Sequence, residues 1–215
     1  MGQKVNPHLI RLQTIYNWGS RWFDERNYRD TVMEDYMLRK ALLERLKNAG
    51  ISRVEIERSI NSVKIIANVS RPGLVIGRGG TGLEELKKYI NQFFRKHQNK
   101  KQLPKIDIRI EPVKEPNLDA QLVAKNIVEQ LVRRLPYKRI LNQNAERVMG
   151  AGALGVKILL SGRIAGAEIS RREKIQKGTV PLSTIRGNID YASTPALTKK
   201  GYIGVKVWIN KKEEK

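Results

Sequence analysis

The 215 residues include 42 Lys plus Arg against 21 Asp plus Glu, which leaves a formal net charge of +21. With 40% hydrophobic and 29% charged residues, the composition excludes a disordered chain and allows one or two domains with cores of their own. The absence of cysteine excludes disulfides, zinc knuckles, iron–sulfur clusters and thiol catalysis.

A compact chain this basic repels itself unless a polyanion screens it. Nucleic acid is therefore the expected partner, with an acidic membrane surface as the rival. The opening residues contain no apolar signal core, and Asn6 stands where a myristoylation signal needs Ser or Thr. No stretch approaches the roughly 18 apolar residues that cross a bilayer. The expectation is a soluble protein of a reducing compartment.

In chain order, apolar spacing predicts a helix from Tyr28 to Ala49 with Val32, Tyr36, Leu43 and Leu46 on its face. Thr31 and Glu34 form a capping-box pattern, and Gly50 provides a stop. Alternation over 53–59 and 63–69 predicts a hairpin. Leu74-Val75-Ile76 then leads into Gly77-Arg78-Gly79-Gly80 and a helix with an expected stripe of Leu83, Leu86, Ile90 and Phe93. Residues 105–111 alternate as a third strand, and the two prolines of 112–116 mark a linker. Helices are predicted over 118–135 and 137–149. Strands follow over 156–161, 164–171, 184–191 and 201–210. The implied domains are 1–111 and 112–215.

The Gly77-x-x-Gly80 turn lets a nucleic-acid backbone approach without an intervening Cβ, and the helix that follows presents its N–H groups to phosphate. Arg78 adds a charged donor, and Ile76 and Leu83 are candidates for a groove floor. In the order α-β-β-α-turn-α-β, this turn is how a type II KH module grips about four nucleotides. The bland alternative is a turn that needs glycine only for its geometry. The same residues spell a dinucleotide fingerprint, Gly77-x-Gly79-x-x-Gly82, but no buried strand precedes it and no crossover units follow. A Walker loop fails for want of its Lys-Ser/Thr ending.

Arg133, Arg134, Lys138, Arg139 and Arg147 form a basic stretch in which Arg139, Gln143 and Arg147 fall at i, i+4 and i+8. Such a ridge can hold phosphates without reading sequence, and it can equally be a solvated face. Arg163, Arg171, Arg172, Lys174 and Lys177 make a further cluster around a Gly-rich hairpin. His8 and His97 show no ligand spacing and read as surface histidines. Asp119 and Asp190 have no visible partner, and no nucleophile–base pair is evident. Trp18, Trp22 and Trp208 can stack on bases or serve in packing.

Several ordered blocks together are more specific than any one motif. They are Met1-Gly-Gln-Lys-Val-Asn-Pro7, Ser20-Arg21-Trp22, Arg71-Pro72-Gly73-Leu74-Val75-Ile76-Gly77, Leu118-Asp119-Ala120, Ser161-Gly162-Arg163, Gly166-Ala167-Glu168-Ile169, Val180-Pro181-Leu182, Ile189-Asp190-Tyr191 and Ile203 to Ile209. Through them nearly the whole chain resembles the S-three family of small-ribosomal-subunit proteins, of bacterial or organellar type. The resemblance implies an α+β protein: a type II KH domain (αββααβ) followed by a two-layer α2β4 domain. It implies a non-enzymatic component of the small-subunit head, without cofactor or metal. The implied partners are small-subunit rRNA, mRNA, the tenth and fourteenth head proteins, and the fourth and fifth proteins at the mRNA entrance. The implied location is the cytoplasmic ribosome or its organellar counterpart. The resemblance implies that Gln3, Lys4 and Asn6 are buried in rRNA, while Gly77, Arg78, Gly79, Gly80, Arg163, Arg171 and Arg172 are expected RNA contacts from their own chemistry. Lys138 and Arg139 are implied to line the mRNA entrance, and Arg147 is expected to join them from its place on the same ridge. Asn142 and Gln143 replace basic residues of many relatives, and Gly79 replaces one of the two lysines usual in the turn. A nuclease or lyase, and a free regulatory KH protein, are the other classes weighed.

Overall fold

The computed structural model describes residues 4–97 and 104–212. Two compact units are present: Trp18–Lys114, and Met1–Asn17 together with Glu115–Lys215. The sequence grouped the N-terminal residues with the first domain. The structure instead makes them part of the second unit, with the break near residue 114.

In the first unit, β1 (Ser20–Arg21) precedes α1 (Tyr28–Arg45), β2 (Ile51–Arg58), β3 (Ser62–Val69), α2 (Pro72–Ile76), α3 (Thr81–His97) and β4 (Lys105–Pro112). Its sheet runs β1-β2-β3-β4, with β2 and β3 antiparallel and β3 and β4 parallel. One face buries Val54, Ile56, Val63, Ile65 and Ile108 against Leu38, Leu42, Leu86, Ile90 and Phe94 of the helices. The other is solvated and paired, with Arg21 donating to Glu55 at 2.7 Å and Lys64 to Glu57 at 2.9 Å.

α1 departs from its expected form at two points. It begins three residues before the Thr31–Glu34 pattern, after a turn in which Asp24 Oδ1 accepts the N–H groups of Arg26 and Asn27. Thr31 is buried inside the helix, and Glu34 accepts from Arg58 at 2.8 Å instead of capping. The inward face is Thr31, Asp35, Leu38 and Leu42, while Val32, Tyr36 and Leu43 face out. Apolar residues lie on both sides of α1, so periodicity alone does not select the face. Asp35 can turn inward because Arg58 Nε (2.7 Å) and Trp22 Nε1 (2.9 Å) satisfy its two oxygens. On α3 the fully buried aromatic is Phe94; Phe93 only flanks the core and Leu83 is half-buried.

In the second unit, α4 (Ala120–Val132) and α5 (Tyr137–Gly150) cover one face of an antiparallel sheet. Its strands are β5 (Gly155–Gly162), β6 (Arg171–Gly178), β7 (Ile189–Thr198) and β8 (Gly201–Asn210), in the order β6-β5-β8-β7. Asp119 caps α4 by accepting the Leu122 N–H at 3.0 Å. The strand expected over 164–171 is a short 3-10 turn at Ile164–Gly166 followed by an irregular segment, and pairing begins at Arg171. The strand expected over 184–191 starts at Ile189 instead. Both displaced strands are sheet edges: β6 is mostly polar and β7 contains Pro195, so neither carries an alternating apolar signal.

The N-terminal arm is fastened to this unit by a fully buried Arg11. Its guanidinium donates to five carbonyl oxygens, those of Pro7, Pro181, Leu182, Thr184 and Gly187, at 2.7 to 3.3 Å. Burial lowers the Arg11 pKa, and the ring of carbonyl dipoles takes the place of its water shell.

Candidate nucleic-acid interface

The Gly-rich turn is an exposed connection between α2 and α3. Gly77, Gly79 and Gly80 all have left-handed φ values, of +70°, +62° and +85°. A Cβ at Gly79 or Gly80 would meet nothing within 4 Å, so the space above the turn is open. Gly82 is required for a different reason: its Cβ would lie 2.5 Å from the Val75 carbonyl oxygen. That absence of side chain lets α2 and α3 close up and hold the turn. Arg78 is exposed, and Thr81 Oγ1 donates to its carbonyl at 3.1 Å. Ile76 is part-exposed, as a groove floor requires.

On α5, Ile140, Leu141, Asn144, Ala145 and Val148 face inward. Lys138, Arg139, Asn142, Gln143, Glu146 and Arg147 are exposed on the outer side. The rotation of the helix is fixed by Asn144, whose amide donates to Ile140 O (2.8 Å) and Gln130 Oε1 (3.1 Å) and accepts from Asn126 Nδ2 (3.3 Å). Among the described residues, Lys138, Arg139 and Arg147 have no carboxylate partner. Glu146 on the same side is engaged with Lys177 at 3.0 Å.

The hairpin cluster divides between the two sides of β6. Lys177 turns toward α5 and Glu146, and Arg171 shares its side by strand alternation. Arg172 and Lys174 stand on the opposite, open face. Arg163 is exposed and donates to the Ala167 carbonyl of its own turn at 2.9 Å. Lys4 and Asn6 lie at the edge of a groove on the open face of the sheet. Gln3 falls outside the described residues.

Two sequence expectations require correction. His8 is half-buried and reaches Asp190 Oδ1 with Nε2 at 3.1 Å, so it is not a free surface group. Asp190 has partners throughout: His8, Lys211 at 3.0 Å and the Ala120 N–H at 3.1 Å. Burial opposes its ionisation. The hydrogen bond from His8 and the Lys211 and Ala120 interactions outweigh burial and hold its carboxyl well below the usual carboxylate range. Trp208 is buried and Trp22 binds Asp35, which leaves Trp18 as the exposed indole. Among the described residues, no group of three or more His, Asp or Glu is placed to hold a metal. None of their helices is long and apolar enough to cross a membrane.

A KH-like unit joined to a two-helix, four-stranded unit, whose α5 carries exposed cations without carboxylate partners among the described residues, defines a nucleic-acid-binding protein. Family comparison makes the class specific. Residues 37–118 match the KH domain model, and residues 127–209 match the model of the ribosomal protein S3 C-terminal domain. The chain is 46% identical over 213 residues to the small ribosomal subunit protein uS3 of Bacillus cytotoxicus, covering 99% of this chain and 94% of that one. The corresponding protein of Lactobacillus helveticus is 44% identical over 213 residues, with 99% and 92% covered, and that of Acetivibrio thermocellus 46% over 214 residues, with 99% and 91% covered. The chain therefore belongs to the uS3 family of small-ribosomal-subunit proteins. Its role is that of a structural ribosomal component, not an enzyme.

Proposed function

We propose that the protein binds small-subunit rRNA through its arm, its Gly-rich turn and its hairpin arginines, and presents the outer face of α5 to mRNA entering the ribosome. The observation that carries this reading is the outer face of α5. Lys138, Arg139 and Arg147 are exposed there without carboxylate partners among the described residues, on a helix whose rotation is fixed from within. Such cations hold phosphates electrostatically and without sequence preference. Asn142 and Gln143 interrupt the ridge, so the grip on mRNA depends on three charges. Gly77, Arg78, Gly79 and Gly80 offer bare backbone and one cation to an RNA strand. Lys4, Asn6, Arg163, Arg171 and Arg172 supply further contacts, and Gln3 joins them by family likeness. The tenth and fourteenth proteins are its neighbours in the head, and the fourth and fifth at the mRNA entrance. The cytoplasmic ribosome is its place of action.

Titrating the full chain with small-subunit rRNA at several salt concentrations tests the first half of this reading. Affinity falls with salt by a log–log slope of about 0.7 to 0.9 per phosphate contact. A response flat in salt overturns it. For the second half, small subunits carrying Lys138→Glu with Arg139→Glu translate hairpin-containing mRNA more slowly and unstructured mRNA at the ordinary rate. Equal rates on both templates overturn the mRNA role.

A further inference from the structure

The side of the second unit's sheet that faces away from α4 and α5 carries a groove bordered by the arm. Residues Lys4 to Pro7 form one wall of a groove of about 590 Å³ whose floor comes from all four strands. Register sets the layout. Lys174, Leu159, Lys206 and Ser193 form one cross-strand row, and Gln176, Lys157, Trp208 and Tyr191 form the next. Arg172 adds a cation one row further along β6.

We propose that this groove binds the phosphate backbone of an RNA strand through Lys4, Lys157, Arg172, Lys174 and Lys206. The proposal deepens the rRNA-binding reading and rests on it, adding Lys157, Lys174 and Lys206 as contacts and giving Lys4 and Arg172 a common site. Three observations converge on it.

The first is charge. Five cations line the groove, its lining contains no Asp or Glu, and among the described residues none of the five has a carboxylate partner. Elsewhere on the two sheets several cations are neutralised locally, as Lys177 is by Glu146 and Lys64 by Glu57. Like charges on neighbouring strand positions are unfavourable, so this arrangement calls for an external anion. The Lys157 pKa is lowered by burial and then by the nearby Lys4 and Lys174, which shows that the groove's positive potential is felt by its own members.

The second is the form of the recognition groups. The groove lies across the face of the sheet, where β5 and β8 are paired on both sides and offer no free backbone row, so a peptide cannot add there as a strand. What the groove offers is side-chain charge, and the ligand that matches it is a flexible chain with an anion at every repeat.

The third is the aromatic floor. Trp208 is only 5% exposed, Lys157 Nζ sits 5.3 Å from its ring centroid and Tyr191 packs beside it at the same centroid distance. The indole is thus already covered and does not stack on a base. It supports Lys157 from below, and the groove holds phosphate without reading sequence.

The test is a Lys157→Gln/Lys174→Gln/Lys206→Gln variant of the full chain, with a Lys138→Gln/Arg139→Gln/Arg147→Gln variant for comparison, titrated with a single-stranded small-subunit rRNA segment across a salt series. The groove variant loses affinity by about 30-fold at low salt, and its log–log salt slope falls by about 2, from three contacts at roughly 0.7 each. In the unaltered protein, bound RNA also shields Lys157, Lys174 and Lys206 from amine-reactive labelling, a readout independent of how the variant folds. An unchanged slope with unshielded lysines, while the unaltered protein binds RNA, overturns the groove and leaves the rRNA-binding reading standing. Indifference of the unaltered protein to RNA overturns both. Competition by poly-glutamate at the same charge concentration as RNA overturns the assignment to RNA.

Discussion

Arg11→Leu probes how the arm is held. The substitution removes a buried cation and five hydrogen bonds to carbonyl oxygens, four of them on the 181–187 segment. Each bond to a charged group contributes about 1.5–3 kcal/mol. Two effects reduce the total: the guanidinium's own desolvation cost is relieved, and the freed carbonyls of a surface segment recover water. The net expectation is a loss of about 3 kcal/mol from the unit formed by the arm and residues 115–212. At roughly 4 °C per kcal/mol for a unit of this size, that is a fall of roughly 12 °C in its transition. Calorimetry on the full chain resolves the effect, because the transition of the 18–114 unit stays where it was. Arg11→Lys keeps the charge but not the planar fork and falls between the two. A loss below about 1 kcal/mol, or an equal shift of both units, would refute the assignment of Arg11 as the arm's anchor.

Further outcomes follow from the same geometry. Arg78→Glu lowers affinity of the full chain for rRNA by about tenfold at unchanged circular dichroism; undiminished affinity would show that the turn does not meet RNA. Arg78 is the position to alter, because a side chain at Gly79 would be forced into left-handed backbone whether or not RNA is bound. Gly82→Ala drives a methyl group into the Val75 carbonyl and destabilises the 18–114 unit by about 2 kcal/mol, read by denaturant titration; a neutral result would mean that α2 and α3 part at no cost. The depressed pKa of Asp190 means that its ionised form stabilises the fold above the unfolded carboxylate pKa of about 3.9, and that this stabilisation is lost as pH falls below that value. The stability difference between the unaltered protein and Asp190→Asn therefore shrinks as pH falls below about 4. A difference that persists undiminished down to about pH 2 would contradict the His8–Asp190–Lys211 arrangement.

Local chemistry was legible in the sequence where it also decided the structure. The 53–69 hairpin, the Gly-rich turn and the outer face of α5 follow from alternation, glycine and helical spacing, and each stands where those signals put it. The inward face of α1 was not legible, because apolar residues surround that helix and the buried Asp35 depends on Arg58, 23 residues away. The edge strands β6 and β7 were displaced because edges carry charge and proline in place of an apolar stripe. The arm was hidden most completely: His8 meets Asp190 across 182 residues, and nothing local to either announces the pairing. The cationic groove depends on the same long-range docking, and of its five cations only Lys4, Arg172 and Lys174 stood out as candidates before strand register brought in Lys157 and Lys206.

The central claim is that this surplus of positive charge is a surface for small-subunit RNA. Its most direct test is to recover small ribosomal subunits from cells expressing the tagged chain, wash them in high salt, count copies per rRNA and map protein–RNA crosslinks. The account predicts one copy per subunit, with crosslinks from the turn, the arm and the open face of the second sheet. Recovery of the chain mainly in the free pool, or on subunits without RNA crosslinks from those surfaces, would contradict it.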